Sequence, residues 1–225
     1  MKTGTLFVVG TPIGNLEDIT YRAIKTLAEV DLILCEDTRT TQKLLSRFNI
    51  KTKTISYNAH ASSKKHDDIV SLLKEGKNIA LVSDAGTPGI SDPGSLLVSK
   101  VREEGIDSIV AVPGPTAITA LFSIAGIFGN EFAFLGFAPH KKGRKTFFES
   151  LPKYSFPVIF YESNHRILKA LESLKENNVK KVVIGRELTK MYEEVLIGTP
   201  EELIFTLSKN PNKQKGEFTV LIDNK

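Results

Sequence analysis

The sequence predicts an α/β protein in two domains, a parallel-sheet N-terminal domain followed by a mixed-sheet C-terminal domain. Short apolar runs alternate with amphipathic stretches of helical period through the first half, which is the signature of repeated βα units and of a sheet covered on both faces. Three of those runs end in Gly/Pro loops. The second half is richer in apolar runs close enough to pair as neighbouring strands.

TLFVVG is the first strand, and Thr20 stands where an N-cap is needed for the helix YRAIKTLAEV. DLILCE is a strand, TRTTQKLLSRF a helix, KTISY a strand and IVSLLKEG a helix. NIALVS, SLLVSKVREEG and SIVAV continue the alternation. Domains are placed at 1–114 and 115–225, with a helix from Thr116 through Ala125 leading to the Gly-containing stretch GIFGNE, read as the boundary region. Beyond it EFAFLGF, PVIFYES, KKVVIGREL, EEVLIGT and EFTVLID are strands. KTFFESL, HRILKALESLKEN and a short segment after Pro200 are helices.

Composition limits the function classes. At 225 residues and 41% hydrophobic, the chain can bury one large core or two modest ones. No apolar run approaches the ~20 residues of a membrane span, and the N-terminus enters a strand without a signal-peptide pattern, so a cytoplasmic protein is expected. Cys35, alone and inside LILC, reads as a buried small hydrophobe. The net charge is +4, with 14 Lys/Arg and 14 Asp/Glu in residues 1–113 against 16 and 12 in residues 114–225. The excess concentrates in HKKGRK, His140 to Lys145, and near Lys209, Lys213 and Lys215. Such a run is either a solvated face or a phosphate-contacting loop.

The richest loop is LVSDAGTPGISDPG, Leu81 to Gly94. Gly86, Gly89 and Gly94 tolerate positive φ, Pro88 and Pro93 stiffen the turn, and Asp84 follows the strand where open α/β sheets place ligands. The plainer reading is an elaborate turn with a capping Asp. The same grammar recurs in GTPIGN (10–15) and PGPTA (113–117), so parallel strands would bring all three loops to one sheet edge as a pocket. CEDTR aims acids and an Arg at that edge, although Asp37 or Thr38 also suits an N-cap. FYESNHR and RELTK end two strands of the second half, which favours a site shared between the domains.

Other chemistries are excluded by spacing. G-x-G-x-x-G, the phosphate-binding G-x-x-x-x-G-K-[ST] and G-x-S-x-G are all missing. The four histidines are scattered and one cysteine supports no thiolate cluster, so no metal is expected.

The set GTPIGNLEDIT, CEDTR, SDAGTPGISDPG, VPGPTA, FLGFAP, FYES-x-HR and GRELTK resembles the tetrapyrrole-methylase superfamily of S-adenosylmethionine-dependent methyltransferases. Within it, CEDTR and SDAGTPGISDPG are most similar to the bacterial branch acting on small-subunit ribosomal RNA, and the match runs from about Leu6 to Ile222. The resemblance implies a homodimer of two-domain chains, S-adenosylmethionine folded into the interdomain cleft, and 2′-O-methylation of a cytidine in 16S rRNA. It implies that Asp84, Pro88, Gly89 and Ile90 hold the methionine and ribose of the cofactor, with Thr116 and Ala117 opposite. Phe160 and Tyr161 would pack near adenine, with Arg186, Glu187 and the Lys215-Gly216-Glu217 turn closing the pocket.

A ribose hydroxyl is a poor nucleophile, and a positioned base would help by roughly 10²- to 10⁴-fold. Asp37 is the candidate, with Arg39 orienting it or the ribose, while Asn15 and His60 contact the nucleotide. The competing reading has Asp37 as a helix cap and Arg39 on a phosphate. Lys141, Lys142, Arg144 and Lys145 are expected to form part of an RNA track. Asn164 and Tyr192 stand where the family pattern has Pro and His, which bears on the substrate rim. Family members often continue past the last strand, whereas this sequence ends at Lys225, so no contribution of such an extension is carried over. A tetrapyrrole methylase and a non-catalytic rRNA-binding assembly factor remain the alternatives.

Overall fold

The computed structural model describes residues 3–58 and 61–224 of the chain. It divides into two compact units, Met1–Thr116 and Ala117–Lys225.

The first unit contains β1 (Leu6–Val9), α1 (Tyr21–Glu29), β2 (Leu32–Cys35), α2 (Thr38–Arg47), β3 (Thr54–Ser56), α3 (Ser63–Lys74), β4 (Ile79–Leu81), α4 (Gly94–Glu103) and β5 (Ile109–Val112). The strands pair in the order β3-β2-β4-β1-β5, all parallel. Every residue of β2 and β4 is buried, as a parallel strand with helices on both faces requires. Strand alternation sends Leu6, Leu32, Leu34, Ile79 and Leu81 into one core with Leu73 and Leu97. It sends Val9, Ile33, Cys35, Ala80 and Val82 into the other, with Leu27, Leu44 and Leu45. Thr20 caps α1 by accepting from the Ala23 amide at 3.1 Å. Cys35 is fully buried, and burial pushes its thiol pKa up, so it behaves as the small hydrophobe its context suggested.

The second unit contains α5 (Ala117–Ile124), β6 (Ala133–Phe137), α6 (Arg144–Ser150), β7 (Val158–Ser163), α7 (Ile167–Glu176), β8 (Lys181–Arg186), β9 (Glu194–Gly198), α8 (Pro200–Lys209) and β10 (Glu217–Asp223). Its order is β6-β7-β10-β8-β9, with β6 parallel to β7 and the remaining pairs antiparallel. The last strand in sequence is therefore central. GIFGNE lies inside this unit, because α5 already packs on its sheet: a Cβ on Gly185 would meet the Leu121 side chain at 2.9 Å. Helix α8 is longer than the short segment expected, running ten residues from a Thr199/Glu202 capping box with Pro200 at its start.

Strand β7 corrects two readings. Phe160 is fully buried against Phe147 and Phe148, so its ring belongs to the core and not to a ligand pocket. The alternation that hides Phe160 turns Tyr161 to the opposite face, against Phe134 and Phe137 at 4.9 and 5.2 Å between ring centroids. Glu162 shares the Phe160 face and is buried between two guanidinium groups, Arg144 at 2.9 Å and Arg166 at 2.8 Å. Arg144 also donates to the Pro139 carbonyl and stacks over Phe148. It is thus turned inward, away from the RNA-contacting role expected of it, because the buried Glu162 carboxylate needs a partner.

Phe160→Ala is expected to cost about 3–5 kcal/mol in a urea unfolding titration of the whole chain. Tyr161→Ala, made at a half-buried position, is expected to cost clearly less.

Candidate ligand-binding edge of the parallel sheet

The three Gly/Pro loops of the first unit meet at the carboxyl edge of its sheet, held together mainly by backbone. The Thr11 amide donates to the Gly86 carbonyl at 2.9 Å, and the Gly86 amide donates back at 3.1 Å, joining the loops after β1 and β4. The loops after β1 and β5 touch glycine to glycine: a Cβ on Gly10 would lie 2.7 Å from the Gly114 nitrogen, and one on Gly114 would lie 2.8 Å from the Gly10 carbonyl carbon. Only glycine permits that approach. The loop after β2 joins them through the Asp37 amide, which donates to the Asp84 carboxylate at 3.0 Å.

Inside the cluster, the buried Thr11 hydroxyl donates to the Ser83 and Gly86 carbonyls. Asp92, which the sequence reading passed over, fixes the turn of the long loop by accepting from the Gly89 and Gly94 amides, both at 2.8 Å. Gly89 has φ of +87° and Ser91 +73°, so the loop carries left-handed backbone at a non-glycine position, a feature that concentrates at ligand clamps. Ile90 projects into solvent and Pro88 is buried. A small cavity opens beside the cluster among Thr11, Pro12, Thr40, Thr41, Ser83 and Asp84.

Asp37 is the N-cap of α2: its carboxylate accepts from the Arg39 amide at 2.8 Å. The Arg39 guanidinium returns over the same carboxylate, donating at 3.0 Å through Nε and at 2.6 Å through Nη2. The hydrogen bond from the Arg39 side chain, with that from its amide, holds the Asp37 carboxyl down at about 2. The group is therefore a weak base and a permanently ionised acceptor. Burial instead pushes the neighbouring Glu36 carboxyl up, against the lowering effect of a hydrogen bond from the Asp84 backbone. Asn15 caps a short 3₁₀ turn by accepting from the Glu17 amide at 3.1 Å. His60 lies outside the described residues.

In the second unit, Arg186 is a clasp. Its guanidinium donates to the carbonyls of Lys215, Tyr192 and Asn212 at 2.8, 3.1 and 3.2 Å. The Glu187 carboxylate accepts from the Glu217 amide and from Lys190, so the two residues fix the turn at Gly216, whose φ is +106°. Burial alone would push the Glu187 carboxyl up, but the Glu217 amide and Lys190 outweigh it and hold it below the usual range. Glu187 and Thr189 both sit at positive φ, +50° and +67°, and the Thr189 hydroxyl is buried with no hydrogen-bond partner. Thr116 and Ala117, both half-buried, flank the division between the units. Lys141, Lys142 and Lys145 are exposed, Lys145 facing Glu149 at 3.7 Å. Among the described residues no cluster of three metal-ligating side chains occurs.

A model of the tetrapyrrole (corrin/porphyrin) methylases matches residues 5–204. A Thermotoga maritima protein named ribosomal RNA small subunit methyltransferase I is 47% identical over 223 residues, 99% of each chain. Its namesake in Haemophilus influenzae is 44% identical over 226 residues, covering 99% of this chain and 80% of its own. Among solved structures, the uroporphyrin-III C-methyltransferase of Thermus thermophilus, complexed with S-adenosylhomocysteine, superposes with a TM-score of 0.66 at 15% identity over 97% of both chains. That likeness shows the shared fold.

Gly10→Ala is expected to force the β1 and β5 loops apart, since the added carbon meets backbone and not a yielding side chain. A cost of about 1–3 kcal/mol is expected from such overpacking, read as a lowered urea midpoint. The same substitution at Gly105, with positive φ but open space around it, is expected to cost less.

Proposed function

The chain belongs to the tetrapyrrole (corrin/porphyrin) methylase family, and from that premise we propose that it transfers a methyl group from S-adenosylmethionine to the 2′-hydroxyl of a cytidine in small-subunit ribosomal RNA. The observation that carries the substrate class is the 47% identity, end to end, with a ribosomal RNA small subunit methyltransferase. The sheet edge supports the cofactor class. A sulfonium cofactor with a zwitterionic tail and no phosphate is suited by exposed peptide groups and a carboxylate. The loops at Thr11–Gly86 and Gly89–Gly94, stiffened by their own hydrogen bonds, set the exposed Asp84 carboxylate among closely packed backbone without a phosphate-binding lysine.

In this reading Asp84, Pro88, Gly89 and Ile90 hold the methionine and ribose end, with Thr116 and Ala117 beside them. In the second unit, the turn at Gly216, held by Arg186 and Glu187, is assigned to the cofactor, as is Tyr161 on the opposite face of β7 from the core. When bound, S-adenosylmethionine would supply an electrophilic methyl for the ribose oxygen, with S-adenosylhomocysteine as the leaving group. Asp37 accepts the hydroxyl proton. At a pKa near 2 it cannot pull that proton off beforehand, so it works by aiming the oxygen lone pair and taking the proton as the new bond forms. Arg39 locks the carboxylate in place, and Asn15 and His60 are assigned to the nucleotide. The exposed Lys141, Lys142 and Lys145 remain assigned to phosphates, without Arg144.

The same reading places the protein in the cytoplasm as a homodimer. No described helix is long and apolar enough to cross a membrane.

Incubation with methyl-labelled S-adenosylmethionine and small ribosomal subunits, followed by nuclease digestion and mass spectrometry, is expected to yield a ribose-methylated cytidine. Label on a base, or transfer only to a tetrapyrrole, would overturn the assignment. Asp37→Asn keeps an equally good cap, so folding is expected to be nearly unchanged while kcat falls by roughly 10²-fold or more. An unchanged kcat would remove Asp37 from the proton's path.

A further inference from the structure

The equal charge counts of the first half conceal a strong segregation. From Thr38 to His66 the sequence contains seven Lys/Arg and no Asp/Glu. Helix α2 opens this stretch, and its three cations, Arg39, Lys43 and Arg47, fall at i, i+4 and i+8. That spacing stacks them on one face, about 6 Å apart along the axis. All three are exposed, while Thr41, Leu44 and Leu45 on the other side are buried.

On other helices several cations are offset by acids. Lys100 of α4 pairs with Glu104 at 3.1 Å, Lys145 of α6 with Glu149 at 3.7 Å, and Lys175 of α7 with Glu201 at 2.7 Å. Helix α2 contains no acid within its span; its cap Asp37 offsets Arg39 at 2.6 Å, but among the described residues neither Lys43 nor Arg47 is in an ion pair. Lys43 and Arg47, one turn apart on that ridge, are like charges that repel one another. Such a face is costly alone and favourable beside a line of negative charge.

We propose that the Arg39–Lys43–Arg47 ridge of α2 is a binding track for the phosphate backbone of the substrate RNA, leading to the Asp37 end of the helix. The inference rests on the RNA-methylation reading above and adds to it a surface in the first unit, separate from the lysines at 141–145. Exposed Lys51 and Lys53, just beyond α2, extend the positive field. The direction matters: the ridge begins at the residue whose cap is the proposed proton acceptor. Phosphates seated along it would set how far the RNA strand is threaded, and thereby which ribose reaches Asp37.

The test uses the full chain carrying Lys43→Gln and Arg47→Gln, positions outside the proposed catalytic set. Binding to small-subunit rRNA is measured as a function of salt. The slope of log K against log salt is expected to flatten by roughly 1.5, since each lost phosphate contact removes about 0.7–0.9. Between 50 and 200 mM salt that amounts to about a tenfold smaller loss of affinity. KM for RNA should rise several-fold, with kcat at saturating RNA and affinity for S-adenosylmethionine unchanged. The exchange Lys43→Arg with Arg47→Lys should restore the wild-type slope and exclude a purely structural effect. A wild-type chain that methylates rRNA alongside a double variant with unaltered slope and KM would overturn the proposal. If the wild type neither binds nor methylates RNA, the functional reading itself fails, and the proposal with it.

Discussion

The contact between Gly10 and Gly114 is the constraint on which the candidate site depends. Neighbouring parallel strands β1 and β5 bring two loops so close that no β-carbon fits at either position. The loop after β1 is then pinned on its other side by the reciprocal Thr11–Gly86 hydrogen bonds. Asp84 is carried to the Asp37 amide as a consequence, and α2 is oriented with its cap at the same edge. Backbone packing thus places the chemistry-bearing side chains, with few side chains consumed in doing so.

Charge is handled differently in the two units. In the second, Arg144 and Arg166 share the buried Glu162, which leaves a net positive charge inside and one Arg144 nitrogen without a partner. Buried ion groups of this kind fix geometry more than they add stability. In the first, the Asp37–Arg39 pair lies at the surface, where solvent screens it. Its consequence is chemical: a carboxylate that stays ionised and aimed.

Much of this was legible in the sequence. The parallel sheet followed from strand and helix periods, and the three loop motifs marked one sheet edge because parallel strands leave no other place for them. What escaped has physical causes. VIFYES contains apolar residues on both faces, so its period did not reveal that Phe160 is core while Tyr161 is not. Arg144 looked like part of a basic loop because its partner, Glu162, lies 18 residues away. The Thr38–His66 charge segregation vanished when acids and bases were counted over a whole half of the chain. Strain at Ser91, Glu187 and Thr189 has no sequence signal, because those residues adopt positive φ only under tertiary pressure.

The most direct test of the central claim is amide hydrogen exchange with and without S-adenosylmethionine, resolved to short peptides. The glycine-locked edge should be where the cofactor meets backbone. Protection is therefore expected in Gly10–Asn15, Asp84–Gly94 and Gly114–Ala117, with the β4 core little changed. Saturating cofactor that left those three loops exchanging as they do in the free protein would contradict the account.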